Sequence, residues 1–444
     1  MNIVQITPGA GGMYCGNCFR DNALVGGLRK LGHDTLMVPL YLPMTLDEED
    51  NSVGTPLFFN GLNVYLEQKS AFFRKAPGWL HNALASPRLL KWAAGRAAKT
   101  RPADAGEITL SMLRGELGHQ VRELDELTVW LKSQAKPSVV CLSNALLIGM
   151  LRRIKSDLRV PVICMLQGED TFLDALPEPL RAACWKTLAE RATEADLFIA
   201  PSRYYGDLMG KRLGLRSEGV RVVFNGINLE GYTQQRSAQF TTANADGPVL
   251  GFFARMCREK GLDLLVDAYL LLRKHDRVKN LKLRVGGGCG PGDAPFVEAQ
   301  RRKLKAAGVL GNVQFFPNLD HAAKVEFFRS LTVISTPALY GEAFGLYLIE
   351  AMAAGVPAVQ PRHGAFPELI AATGGGVICA PTAEGLAQSI EQLLLDPIAL
   401  GTFGDVGRKA VFQQFSVEHM AEAIAGQFQE VCSKFQITNP KNQP

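Results

Sequence analysis

The feature that most restricts this fold is a pattern of short, mainly apolar runs, several of them unbroken, spaced by amphipathic stretches, which stops once and begins afresh. The runs fall at 3–6, 35–39, 62–66, 139–142, 160–166, 197–200 and 220–224, and again at 249–253, 281–285, 313–316, 333–336, 358–360 and 376–379. A strand with one wet face alternates polar and apolar residues, whereas an unbroken apolar run fits a strand buried on both faces. Such strands belong to parallel sheets, and parallel neighbours need a crossover connection, usually a helix. The amphipathic stretches supply it. Each series therefore predicts a doubly wound, Rossmann-like α/β domain. Between about 70 and 136 a long helical insertion replaces the expected single crossover, and TQQRSAQFTTANADGP, ending at Pro248, reads as a linker. Domains are expected at 1–225, with the insertion at about 70–136, and at 226–410. The rest, 411–444, holds an amphipathic packing helix over 417–435 and a frayed ITNPKNQP tail. Open sheets of this type bind ligands outside the carboxyl ends of their strands, so two such domains would leave a cleft between those edges.

Composition excludes some partners. With 47% hydrophobic and 20% charged residues and a net charge of +5, the chain is only mildly basic, short of a dedicated nucleic-acid binder. The start MNIVQITPGA lacks the basic and apolar regions of a secretory leader, and no apolar run is long enough to span a bilayer, so a cytoplasmic location is expected. The nine cysteines, an odd number mostly inside apolar segments, suit buried reduced thiols better than a disulfide framework.

The first strand leads into the small-residue loop GAGGMYCGNC, and the helix after it is expected over 21–31. A zinc site would need a second ligand pair beside Cys15 and Cys18, and no other cysteines share their spacing. A redox C-x-x-C lacks a thioredoxin-like context. The glycines do not make G-x-G-x-x-G, because Tyr14 occupies the last required position. Two readings stay open: a tight turn, or a loop whose backbone N–H groups approach a polar ligand.

The chemistry concentrates in YGEAFGLYLIEAMAAGVP, 340–357. A strand ends at Thr336, a glycine-containing turn follows, and a helix is expected from about Phe344 to Ala354. The first N–H groups of a helix have no intrahelical partners and carry the positive end of its dipole, so they favour an anion such as a diphosphate. Glu342 precedes that helix and Glu350 lies roughly two turns along it. In GFFARMCREKGLD, Arg255 leaves the end of a buried strand and Lys260 precedes the next helix, a place that suits a phosphate-bearing ligand. LKLRVGGG, with Gly287, ends a strand in glycines at the same edge.

Together, the E-x7-E of Glu342 and Glu350, the R-x4-K-G of Arg255 and Lys260-Gly261, the Asn225-Gly226-Ile227-Asn228 hinge and the later HGAFPE at 363–368 resemble the retaining GT-B glycosyltransferases of family four, the glycogen-synthase-like and sucrose-synthase-like clan. The resemblance is strongest over 220–400. It implies a GT-B fold, two Rossmann-like doubly wound domains facing a central cleft, and a sugar moved from a nucleotide diphosphate sugar to a glycan, lipid or small-molecule acceptor. By it, Glu350 would bind the ribose, Glu342 the transferred sugar, and Phe344, Gly345 and Leu346 would offer backbone N–H groups to the donor. Arg255 and Lys260 would neutralise the diphosphate, and Gly11 and Gly12 would line the opposite wall. Loops such as 317–320, with Asn318, are where the base would be read. No D-x-D occurs, so no metal and no further cofactor is expected, with a UDP-sugar as the default donor.

One position departs from the family. Many relatives carry a histidine near the reacting sugar, and here Gln167 takes its place in Leu166-Gln167-Gly168-Glu169-Asp170. Glutamine can hydrogen-bond a hydroxyl but cannot titrate, which leaves Glu169 and Asp170 as further acceptor-side candidates. Alternatives are another GT-B enzyme, such as an epimerase or phosphorylase, or a non-catalytic sugar- or nucleotide-binding protein. Within the insertion, 68–103 carries eight basic and no acidic residues, interleaved with Phe72, Phe73, Trp79 and Trp92. That composition fits a helical flap, or contact through 70–101 with an anionic membrane surface or a lipid-linked acceptor.

Overall fold

The computed structural model describes residues 1–9, 16–46, 48–59, 102–233, 247–278 and 280–438. The apolar run at 62–66, the basic and aromatic part of the insertion, Gly11, Gly12 and Cys15, and most of the polar linker lie outside them. Contacts divide the chain into two compact units, Met1–Phe224 with Glu418–Pro444, and Asn225–Val417.

The first unit is built on a parallel sheet of order β2-β1-β3-β4-β5-β6. Its strands are β1 (Asn2–Thr7), β2 (Asp34–Pro39), β3 (Val139–Leu142), β4 (Val162–Met165), β5 (Leu197–Ala200) and β6 (Val220–Val222). Every residue of β3, β4 and β5 is buried, as their unbroken apolar runs require. Ile3 pairs with Thr35 on one side and Val139 on the other, so the chain lays β2 against one edge of β1 and then returns to place β3 on the opposite edge. That reversal opens a crevice at the carboxyl ends of β1 and β3.

The second unit repeats the plan, with order β12-β11-β10-β7-β8-β9. Its strands are β7 (Val249–Phe253), β8 (Lys282–Gly287), β9 (Val313–Pro317), β10 (Val333–Ile334), β11 (Ala358–Pro361) and β12 (Gly376–Cys379). Here the reversal lies between β7 and β10, where Ile334 pairs with Gly251. β10 is shorter than the expected 333–336, yet Ser335 N still donates to Gly251 O at 2.9 Å and Phe253 N to Thr336 Oγ1 at 3.3 Å. The run keeps its place beside β7 while turning into the site loop.

The first helix spans Gly16–Lys30 and so begins earlier than 21. Arg20, Asp21 and Asn22 are buried within it, and this polar content on its inner side erased the amphipathic signal. The described part of the insertion is helical, at Pro102–Arg114 and Val121–Trp130. The last helix, Val417–Thr438, joins the first unit from Glu418 onward. There Glu418 reaches Lys30 at 3.6 Å and Cys432 Sγ approaches Ser138 O at 3.7 Å. Among the described residues no helix is long and apolar enough to cross a membrane. The cysteines at 18, 141, 164, 184, 257, 289, 379 and 432 are free thiols, five of them buried.

Candidate functional site

In the second unit the chain leaves β7 and runs directly into the site. Ala254 N and Met256 N donate to Gly286 O and Gly288 O at 3.2 and 2.7 Å, which extends the pairing with β8 past the ends of both strands. Gly287, at φ 117°, permits this, since a side chain there would meet Ala254 O at 2.0 Å. Arg255 is thereby held at the edge, 61% exposed, with Nε 3.0 and 3.1 Å from the two oxygens of Asp293 and Nη2 2.9 Å from Oδ1. Asp293 is 8% exposed and also accepts from Gly290 N. The hydrogen bonds that Arg255 donates to the Asp293 carboxylate hold its guanidinium even more firmly charged than usual. Asn318 serves the same loop: its side chain accepts from Cys289 N at 3.0 Å and donates to Cys289 O at 3.1 Å. Its amide is therefore spent on bracing the loop.

Lys260 lies one loop further on. Its Nζ is 2.6 Å from Glu342 Oε2, 5.0 Å from the centre of the Tyr340 ring and 5.9 Å from that of Tyr347. Burial alone would drive its proton off, but the Glu342 carboxylate and Tyr340 outweigh it, and the ammonium is held above its ordinary range. Tyr347 Oη donates to the same Glu342 oxygen at 3.0 Å. Burial, with Glu342 adding to it, pushes the phenols of Tyr340 and Tyr347 up, so both stay neutral. The main chain of Glu342 is fixed by the HGAFPE segment: Ala365 N donates to Glu342 O at 2.9 Å, and a side chain at Gly364 would meet Glu342 N at 2.5 Å.

The helix after Glu342 spans Leu346–Ala353, two residues shorter at its start than expected. Gly345 caps it at φ 103°, a conformation outside the helix, and accepts from Leu348 N at 3.0 Å. Phe344 is buried, with its ring 6.3 Å from that of Phe415, and Leu346 is half-buried at the first helical position. Glu350 lies within an otherwise apolar helix, its Oε1 2.7 Å from Lys324 Nζ. Each glutamate of the motif thus has its own lysine.

In the first unit the candidates sit past β4. Gln167 is half-buried, and Gly168 passes through φ 99° into the short helix Glu169–Asp174. Glu169 points inward: Oε1 accepts from Ala145 N at 2.8 Å, and Oε2 accepts from Gln167 N and Tyr205 Oη, both at 2.8 Å. Burial raises its proton affinity, partly opposed by those donors. Asp170 Oδ1 also takes Tyr205 Oη at 2.8 Å. Glu169 thus ties the segments just past β3 and β4 together, and Asp170 is engaged by Tyr205 of the helix Arg203–Leu213. Nearby, Arg20 and Asp21 form a fully buried pair at 2.7 Å, with Thr7 Oγ1 on Asp21 and Ser143 O on Arg20, which fastens the first helix to the ends of β1 and β3. Gly11 and Gly12 fall outside the described residues.

The family model for Glycosyl transferases group 1 matches residues 233–410, and that for Glycosyltransferase Family 4 matches residues 100–230. The chain belongs to the family-four GT-B glycosyltransferases. It is 28% identical over 255 residues to the D-inositol 3-phosphate glycosyltransferase of Gordonia bronchialis, covering 56% of this chain and 55% of that relative, so it spans about half of the relative's length. Among solved structures, sucrose-phosphate synthase from Thermosynechococcus elongatus superposes with a TM-score of 0.70 at 16% identity, covering 97% of this chain and 99% of that one. Anabaena Alr3699/HepE in complex with UDP does so with a TM-score of 0.67 at 16% identity, covering 97% and 100%.

In this family-four chain the structure brings Lys260, Glu342, Tyr340 and Tyr347 together at the sheet reversal of the second unit. Arg255 pairs with Asp293 and Glu350 with Lys324. Sequence reading missed Asp293, Lys324, Tyr340 and Tyr347. The residue pairs 255/293 and 324/350 are too far apart for local spacing to reveal. A lysine among the apolar residues of KVEFF was the one visible signal for Lys324.

Proposed function

We propose that this protein transfers a sugar, with retention of configuration and without a metal ion, from a nucleotide diphosphate sugar to a carbohydrate, lipid-linked or small-molecule acceptor. The Lys260–Glu342 pair at the reversal of the second sheet carries the reading. An ammonium has three N–H donors, and with one on Glu342 and one toward Tyr340 a third is left for a diphosphate. Glu342 Oε2 is taken by Lys260 and Tyr347, which turns Oε1 toward a sugar hydroxyl. As the bond from the anomeric carbon to the diphosphate breaks, its electron pair moves to the phosphate oxygen. Lys260, Arg255 and the first N–H groups of the Leu346–Ala353 helix stabilise that growing charge more than they stabilise the ground state. The acceptor hydroxyl bonds the same face and gives its proton to the departing phosphate. Three cationic or dipolar donors then do the work for which other enzymes use a divalent ion. A UDP-sugar is the first donor to try, favoured by a fold neighbour that binds UDP.

The test is release of nucleoside diphosphate from UDP-, GDP-, ADP- and dTDP-sugars, with chelator and with an acceptor panel of sugars and polyol phosphates. Turnover of one donor that survives chelation and is lost in Glu342→Gln supports the reading. Turnover that requires added metal overturns its metal-free part. Tight binding with no turnover of any donor would favour a sugar- or nucleotide-binding protein.

A further inference from the structure

Lys324 stands where the fold alone gives little reason for a lysine. It lies in the first turns of the helix His321–Arg329, whose N-terminus is capped by Asp320 Oδ1 on Ala323 N at 2.8 Å. A cation there opposes the helix dipole. It is 7% exposed, on a helix that also buries Val325, Phe327 and Phe328. A buried ammonium costs free energy unless it is paired, and replacing a buried ion pair by apolar residues of similar size is often neutral or stabilising. Stability therefore does not account for this residue. Its pairing does: Nζ sits 2.7 Å from Glu350 Oε1, and Glu350, 14% exposed, belongs to a helix whose other described side chains are apolar or aromatic.

We infer that Lys324 is a positioning residue that holds the Glu350 carboxylate ready to read the ribose of the donor. The inference rests on the transferase reading and deepens it. A free carboxylate turns readily about its last torsion. Fixing Oε1 on an ammonium stops that rotation, leaves Oε2 aimed at one place, and offsets a negative charge close to where a diphosphate must arrive. Binding to a group already held in position costs less than binding to one that must be ordered. Arg255 and Lys260 lie on other elements, so diphosphate recognition does not depend on Lys324. Loss of Lys324 should then weaken the reading of the sugar ring of the nucleotide and spare the reading of its phosphates.

The experiment measures Kd by calorimetry for UDP, GDP and ADP and for their 2′-deoxy counterparts, with the full chain and its variants. For the base that binds, wild type should prefer the ribonucleotide by roughly tenfold or more, the size expected for a hydrogen bond to a charged group. Lys324→Met should weaken the ribonucleotide by about that factor, leave the deoxynucleotide nearly unchanged, and so erase the preference. Glu350→Gln should do the same, the double variant should be no worse than either, and Lys324→Arg should restore most of the preference. In turnover, Lys324→Met should raise the donor KM with kcat little altered. An unchanged preference in Lys324→Met, or equal loss of ribo- and deoxynucleotides, overturns the inference. A wild type that binds nucleotides without preference also overturns it and leaves the transferase reading standing; a wild type that binds none sinks both.

Discussion

Glutamates stand at the carboxyl edges of both sheets, and the two units hold them by opposite means. Past β4, Glu169 is bound by two main-chain N–H groups and a phenol, all neutral, in a fully buried place that favours its proton. Past β10, Glu342 and Glu350 are each bound by an ammonium and keep 12% and 14% of their side chains exposed. Neutral donors satisfy a carboxylate's lone pairs without cancelling its charge; a lysine does both. The first arrangement builds a wall. The second prepares charged groups, balanced in pairs, that a polar ligand can enter without leaving a buried ion unpartnered.

The largest expected effect strikes the second arrangement. Lys260→Met should lower kcat for nucleoside diphosphate release by about 10²–10³-fold, the loss typical of removing one donor to a developing oxyanion, with the melting temperature as the control for folding. A loss confined to KM would mean that Lys260 binds the donor equally in ground and transition states. Next, Asp293→Asn keeps the shape around Arg255 and removes the charge that anchors it. Donor KM should rise about tenfold, the worth of a charge-assisted bond, and an unchanged KM would show that Arg255 needs no anchor. Smaller again is Tyr347→Phe, which deletes one hydrogen bond from an uncharged phenol to a Glu342 oxygen that Lys260 already holds, and should reduce kcat by roughly fivefold.

The first arrangement predicts a pH signature instead. Because the folded protein holds the Glu169 proton more tightly than the unfolded chain, this group's contribution to stability is full below the ordinary carboxyl range and declines as pH rises through the elevated folded value. Glu169→Gln should lower the melting temperature by a few degrees, since an amide nitrogen cannot accept a main-chain N–H, while flattening its decline with pH. An equally steep slope in the variant would assign the decline to another group.

The fold was legible because buried parallel strands write themselves as apolar runs: VVCL and LFIA fall where 139–142 and 197–200 placed them. The first helix was misjudged at its start, since Arg20, Asp21 and Asn22 face inward and make polar bonds there. The start of the Leu346–Ala353 helix was set two residues early because the positive φ of Gly345 cannot be read from composition. In the site, Arg255, Lys260, Glu342 and Glu350 could be read from spacing within short motifs. What each of them touches depends on which strands lie side by side, and so Lys324, Asp293 and Tyr347 emerged only in three dimensions.

The closing helix has a consequence for the order in which the protein is made. A ribosome delivers the strands of the first sheet, then the whole of the second unit, and only afterwards the residues from Glu418 that lie against Lys30 and Ser138. Domains tend to fold as they emerge, earliest first. This one must wait with the surface around Ser138, Leu197 and Arg221 uncovered until its neighbour has been synthesised. A released chain that ends near residue 417 should therefore hold a finished second unit and an unfinished first one.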